Sequence, residues 1–150
     1  MKREKDLSDM RIMGGDNAPE AIVEGAVEAV REIEDDIVII GDEELIRKTL
    51  NEFGYHGNHI TVVNATEVIS NDESPVRAVR RKKDSSIVVG MNMLKEGKGD
   101  VFISAGSTGG LLAGGLFLLG RIEGIDRPAI GAVYPVMGSE PSLLVDTGAN

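Results

Sequence analysis

Small and hydroxylated residues crowd one stretch of this chain, Ser104-Ala105-Gly106-Ser107-Thr108-Gly109-Gly110, with an apolar run on either side. The chemistry that such a stretch supports is the holding of an oxyanion. Glycine lets backbone N–H groups come close to a ligand, and the first turn of a helix carries unpaired N–H donors and a partial positive charge. Ser104, Ser107 and Thr108 add hydroxyl donors. Val101–Ser104 has the composition of a buried strand, and Leu111–Leu119 is apolar at helix length. A phosphate or another oxyanion is therefore expected at the turn, with the backbone of Gly106, Gly109 and Gly110 as its cradle. The competing reading is a tight strand-to-helix connection whose glycines only permit close packing. The turn lacks the lysine of a nucleotide P-loop and the spacing G-x-G-x-x-G. Its serine stands one place off the nucleophile elbow. The two histidines, His56 and His59, fall in a loop far off in sequence, so Ser107 reads as a hydroxyl donor or helix cap rather than a nucleophile.

Three other clusters are candidates. Gly14-Gly15-Asp16-Asn17 forms a second glycine turn, with Pro19 suited to the first turn of a helix. It either faces the same ligand or only caps that helix through Asp16 or Asn17. Arg77, Arg80, Arg81, Lys82 and Lys83 form a basic cluster in a chain of net charge −9. It suits an anionic ligand or an acidic partner, or it is a solvated helix end of favourable sign. Asp146 and Asn150 follow an apolar strand and either line a site at the carboxyl edge of a parallel sheet or make local turn bonds. Asp16, Asp42 and Asp146 are too scattered to read as a metal site, and no cofactor is implied.

The elements that must position these residues alternate. Met1–Asp9 reads as a charged, mobile leader, and residues 10–150 as one domain, within which Met10–Met13 is short for a strand. An amphipathic helix begins near Ala21, with Ile22, Val23, Ala26, Val30 and Ile33 on one face. Ile37–Ile40 is a fully apolar strand of the kind found in parallel sheets covered on both faces. Glu43–Asn51 reads as a helix and Ile60–Val63 as a strand. Ser74-Pro75 starts a short helix, and Asp84 or Ser85 starts another that runs to Lys95. Ala129–Tyr134 and Leu143–Val145 read as strands. This is the rhythm of an α/β fold.

Composition narrows the function classes. The acidic balance argues against a general nucleic-acid surface, and 3% aromatic residues leave little for base stacking. With no cysteine there is no disulfide, no thiolate metal site and no cysteine acyl-enzyme. No apolar run reaches the length of a membrane span.

Taken in order, five motifs resemble one family. They are Met13-Gly14-Gly15-Asp16-Asn17-Ala18-Pro19; Ser74-Pro75 with Arg80, Lys82 and Ser85-Ser86; Ser104-Ala105-Gly106-Ser107-Thr108-Gly109; Gly120-Arg121-Ile122 with Gly124-Ile125-Asp126-Arg127-Pro128; and Asp146-Thr147-Gly148-Ala149-Asn150. Together they are similar to the bacterial phosphate acyltransferases of phospholipid synthesis. The resemblance implies transfer of a fatty acyl group from acyl carrier protein to inorganic phosphate, giving acyl phosphate. It implies a three-layer α/β/α fold with a mostly parallel sheet, like that of isocitrate and isopropylmalate dehydrogenases. It also implies a cytoplasmic homodimer with peripheral membrane contact. The phosphate is itself the nucleophile, so no catalytic side chain is assigned here. Two departures stand out. The family's longer apolar first strand is replaced by Arg11-Ile12 running straight into Met13, so the first strand is expected to be truncated, or poorly replaced by the leader Met1–Asp9. Family members also continue well past Asn150. The chain is then expected to be the N-terminal half, inactive alone, with the dimer contact, the membrane contact and the residues that set acyl-chain preference elsewhere. Two other readings stay open: a non-catalytic module that binds an anion or an acidic partner, and a phosphotransacetylase-like enzyme using coenzyme A.

Overall fold

The computed structural model describes residues 7–11, 17–126, 128–138 and 140–145, with the backbone alone for 7–11. Four parallel strands form the main sheet in the order β3-β2-β1-β4. They are β1 (Leu7–Arg11), β2 (Asp36–Gly41), β3 (Ile60–Asn64) and β4 (Val101–Ser104). The α/β reading and the parallel sheet hold.

Side chains alternate across a strand, and β2 shows the consequence. Ile37 and Ile39 pack with Val23, Ala26 and Val27 of helix α1 (Glu20–Glu32) and with Ile46 and Leu50 of helix α2 (Glu43–Glu52). Val38 and Ile40 pack on the opposite side, beside Val89 and Met93 of helix α4 (Ser86–Lys95). The run IVII is apolar throughout because helices cover both faces of this strand. Ile87, Val88 and Met91 of α4 meet Ala78 and Val79 of helix α3 (Pro75–Arg81) and Ala113 of helix α5 (Thr108–Gly114). Gly90 lets α4 approach the sheet: a Cβ there would lie 2.2 Å from Phe102 Cε2.

Local signals start several helices where the sequence places them. Asp42 caps α2, its Oδ1 accepting from the Leu45 N–H at 3.0 Å. Pro75 opens α3 and Ser85 precedes α4. For α1 the expected cap through Asn17 needs correction: among the described residues the chain enters that helix at Pro19 with no side-chain cap, and Asn17 contributes its carbonyl, which accepts from the Ala21 N–H at 3.1 Å, while Asp16 lies outside them.

The leader expected over Met1–Asp9 overlaps β1, which takes up Leu7, Ser8 and Asp9. Nor is this strand short. It pairs with β2 from Leu7↔Asp36 to Arg11↔Ile40 and with β4 from Ser8↔Val101 to Arg11↔Ser104. Ladder hydrogen bonds come from the backbone, so a strand flanked on both sides forms even where the sequence reads as polar.

After α5 the helix widens into π-helical turns over Gly115–Leu119, where the Gly120 N–H donates to the Gly115 carbonyl at 2.9 Å. The last two strands, β5 (Gly131–Tyr134) and β6 (Ser142–Val145), leave the parallel sheet and pair antiparallel with each other. Val133, Tyr134, Leu143 and Val145 on this ribbon are more than half exposed. Among the described residues, no helix is long and apolar enough to cross a membrane.

Candidate functional site

Strand order locates the site. β1, β2 and β3 are laid down outward in one direction, and the chain then returns to place β4 on the other side of β1. The carboxyl ends of β1 and β4 are thus neighbours at a topological switch point, where ligands of open α/β sheets bind. Arg11 and Ser104 stand opposite each other there. The two glycine turns therefore follow strands that end side by side. Gly14, Gly15 and Asp16 of the first turn lie outside the described residues, and Asn17 is exposed just before α1.

The second turn is built by one strained residue. Ser107 has φ 37° and ψ 72°, and among the described residues no other non-glycine residue has a positive φ. The left-handed region costs a non-glycine residue about 1–2 kcal/mol. What it provides is a cap: the buried Ser107 Oγ accepts from the Gly110 N–H at 3.2 Å, while the Ser107 carbonyl accepts from the Leu111 N–H at 2.9 Å. Strain of this kind concentrates at functional sites.

The hydrogen bonds narrow the cradle. The Gly106 N–H donates to Ser104 Oγ at 3.4 Å, and that hydroxyl donates to the Gly106 carbonyl at 3.2 Å. Gly110 is spent on the cap. The N–H groups of Ser107, Thr108 and Gly109 have no acceptor among the described residues. Thr108 is exposed, and its hydroxyl is the one of the three expected donors that carries no hydrogen bond among them. The anion donors available at this turn are therefore three amides and one hydroxyl over residues 107–109, narrower than the stretch from Ser104 to Gly110.

Packing accounts for part of the glycine content. A Cβ on Gly109 would lie 2.8 Å from Pro75 Cγ, at the start of α3. One on Gly110 would lie 2.8 Å from Ser107 Oγ and 3.0 Å from Ile87 Cδ1. The packing reading of these glycines holds: they let α5 sit against α3 and α4. A bulky residue at 109 would disturb α3 as well as any ligand.

The basic cluster divides. Lys82 Nζ bonds Glu73 Oε2 at 2.6 Å and the Val68 carbonyl at 2.5 Å, tying the loop before α3 to the end of that helix. This bond, with that from the Ser70 N–H, holds the Glu73 carboxyl below its ordinary value. Arg80 lies over the Phe117 ring, 5.2 Å from its centroid, and Lys83 Nζ reaches the Val79 carbonyl at 3.5 Å. Arg77 and Arg81, one turn apart, remain, and they face a cleft of about 380 Å³ that Glu67 and Glu73 also line. Arg80 and Arg81 stand in the last turn of α3, so the helix-end reading explains part of the cluster as well.

His59 stands just before β3, and its Nδ1 pairs with Oδ1 of Asp36, at the amino end of β2, at 2.8 Å. That is the far edge of the sheet from Ser107, so the two do not meet. Asp146 and Asn150 lie outside the described residues. The ground for expecting them at a parallel-sheet edge is corrected, because β6 belongs to the antiparallel ribbon.

One feature of this region lay outside the candidate residues read from the sequence. An apolar cleft of about 520 Å³ starts at Thr108 and follows one side of α5 and its π-helical continuation. Its signal was present: Leu111–Leu119 is apolar all round, which asks for cover on more than one face.

Fold and turn define the class, a parallel α/β protein with a candidate anion site at the switch point of its sheet. The chain belongs to the fatty acid synthesis protein family, whose model matches residues 9–150. It is 51% identical over 138 residues to a protein of Clostridioides difficile (strain 630) named phosphate acyltransferase. Proteins of the same name from Acetivibrio thermocellus and Alkaliphilus oremlandii are 51% and 52% identical. These matches take in 92% of this chain and 41% of the relatives, so the chain spans about two-fifths of their length.

Proposed function

We propose that this chain supplies the phosphate-holding part of a phosphate acyltransferase that moves a fatty acyl group from acyl carrier protein to inorganic phosphate. The observation that carries this reading is the turn at the switch point, where the amides of Ser107, Thr108 and Gly109 have no acceptor among the described residues, beside a strained, buried Ser107. In the reaction, an oxygen of hydrogen phosphate bonds to the thioester carbonyl carbon, the C–S bond breaks, and the sulfur departs as the thiol with the proton that the hydrogen phosphate gives up. Residues 107–109 hold the phosphate in place for attack or stabilise the oxyanion that develops on the carbonyl, by oriented donors already in position. Gly14, Gly15, Asp16 and Asn17 complete the cradle from the neighbouring strand, and Asp146 and Asn150 close it. Arg77 and Arg81 attract the acidic carrier protein, the two cations of the cluster that no carbonyl or ring engages among the described residues.

The larger frame belongs to the same proposal. The sheet continues past the free edge of β4, where Val101 and Ile103 are about half exposed, into the three-layer arrangement of the isocitrate and isopropylmalate dehydrogenases. The full-length protein is a cytoplasmic homodimer whose membrane contact lies in segments absent from this chain. Alone, this chain binds phosphate without turning over.

Isothermal titration with inorganic phosphate, followed by an acyl-phosphate assay with acyl-acyl carrier protein, tests this. Binding without turnover is expected. Failure to bind phosphate refutes the placement at residues 107–109. Turnover refutes the expectation of inactivity, and turnover with acyl-coenzyme A in place of the carrier protein makes the enzyme phosphotransacetylase-like.

A further inference from the structure

The apolar cleft that begins at Thr108 has a shape and a polarity gradient that fit one kind of molecule. Leu112, Gly115, Leu116 and Leu119 line it along one stripe of α5 and the π-helical turns. At about 1.5 Å per residue, the eleven steps from Thr108 to Leu119 span about 16 Å. A loop bearing Ile122 and Ile125 also lines it, and within that loop Arg121 Nη1 donates to the Asp126 carbonyl at 2.7 Å. Thr108 belongs both to the cleft and to the anion turn, so the polar end of the cleft is the candidate phosphate site.

We infer that this cleft binds the hydrocarbon tail of the acyl substrate, with its reacting end at Thr108. The inference rests on the proposed acyl transfer, and it places on this chain the acyl-chain selectivity that the sequence assigns elsewhere. Volume selects the occupant. The cleft holds about 520 Å³, within the usual range of small-molecule sites of about 300–1,000 Å³. A protein helix about 10 Å across, laid along the same 16 Å, needs more than about 1,200 Å³. An added strand would bring N–H and C=O groups into a wall with few partners for them. A single alkyl chain fits the volume and asks for no hydrogen bonds. Gly115 keeps the floor open, since a Cβ there meets nothing within 4 Å. A larger side chain at 115 therefore projects into the cleft without displacing the core.

The test is a series of alkyl phosphates, butyl to tetradecyl, each kept below its micelle concentration and titrated into this 150-residue chain, with inorganic phosphate run in parallel. Affinity is expected to rise about threefold to fourfold per methylene and then to level off once the cleft is full. Gly115→Phe is expected to lower the ratio of dodecyl to butyl phosphate affinity at least tenfold, with helix content checked by circular dichroism. Should that variant misfold, Leu119→Trp keeps the question open to measurement. The chain has no tryptophan, so the introduced indole is a sole reporter at the far end, and dodecyl phosphate brominated at its tail is expected to quench it. Affinity independent of chain length overturns the inference. So does a chain-length gain that Gly115→Phe leaves intact, or an indole that bromide does not quench. If inorganic phosphate fails to bind while the alkyl series still depends on residue 115, the phosphate placement falls and the tail site stands.

Discussion

Thr108→Asp separates an anion site from a merely well-packed turn, because it acts on folding and on binding with opposite signs. Thr108 is the first residue of α5, exposed, and its hydroxyl and amide have no partner among the described residues. A carboxylate in the first turn of a helix is stabilising by about 0.3–1 kcal/mol. Thr108 is exposed, whereas the close contacts with Pro75 and Ile87 fall on Gly109 and Gly110. The variant should therefore melt no lower than the parent. A phosphate held by the amides of residues 107–109 would sit about 5 Å from the new carboxylate. At effective dielectrics between about 80 and 20, repulsion at that distance is about 0.8–3.3 kcal/mol per pair of unit charges. Phosphate affinity should fall about fourfold to about 250-fold, and the loss should shrink as salt rises. Titration calorimetry at two ionic strengths measures both effects. A variant that folds as well as the parent and binds phosphate equally tightly refutes the placement of the anion at this turn.

Four further outcomes are expected. Gly90→Ala puts a Cβ 2.2 Å from Phe102 Cε2 and 3.0 Å from Ile40 Cδ1. Overpacking of about 1–3 kcal/mol there should exceed the gain of about 1 kcal/mol in helix propensity, and thermal melts should place it below Gly25→Ala, which opens onto free space. Gly109→Ala should likewise lose about 1–2 kcal/mol in a denaturant titration, through the contact with Pro75. Asp84 is held below its ordinary value of 3.8 by the Thr66 hydroxyl and N–H. That contribution is present above 3.8 and disappears as pH falls through the lower folded-state value, so Asp84→Asn should flatten the acid limb of the stability–pH curve. If the limb keeps its slope, the bond to Thr66 contributes nothing. Arg77→Ala with Arg81→Ala should weaken binding of acyl carrier protein roughly threefold to tenfold at low salt, mainly through the association rate. Stopped-flow traces showing an unchanged rate would remove these two residues from the docking surface.

Much of the framework was readable residue by residue. The run Ile37–Ile40 announces a strand covered on both faces, and the helices on either side of it bear that out. The pair Ser74-Pro75 marks a helix start, and the glycine turn after β4 appears where the apolar run ends. Each is a local signal, carried by a residue's own preference or by the spacing of its neighbours. What escaped was decided by partners distant in sequence. Leu7–Asp9 reads as a leader, yet it lies between two strands that supply its ladder bonds. The five cations read as one patch, yet Glu73, the Val68 carbonyl and Phe117 claim two of them. Leu143–Val145 reads as one more strand of the parallel sheet, and it pairs with β5 instead.

The candidate site divides along the same line. By itself the amino-acid sequence determined that small, hydroxyl-bearing residues would stand between a strand and a helix, because composition and periodicity report local conformation. Only the tertiary structure decided that this strand ends beside β1. The same holds for the cleft that opens at Thr108. A buried donor or acceptor takes the partner that the packed chain brings nearest, and which groups remain for a ligand is settled when helices and strands from the whole chain close around them.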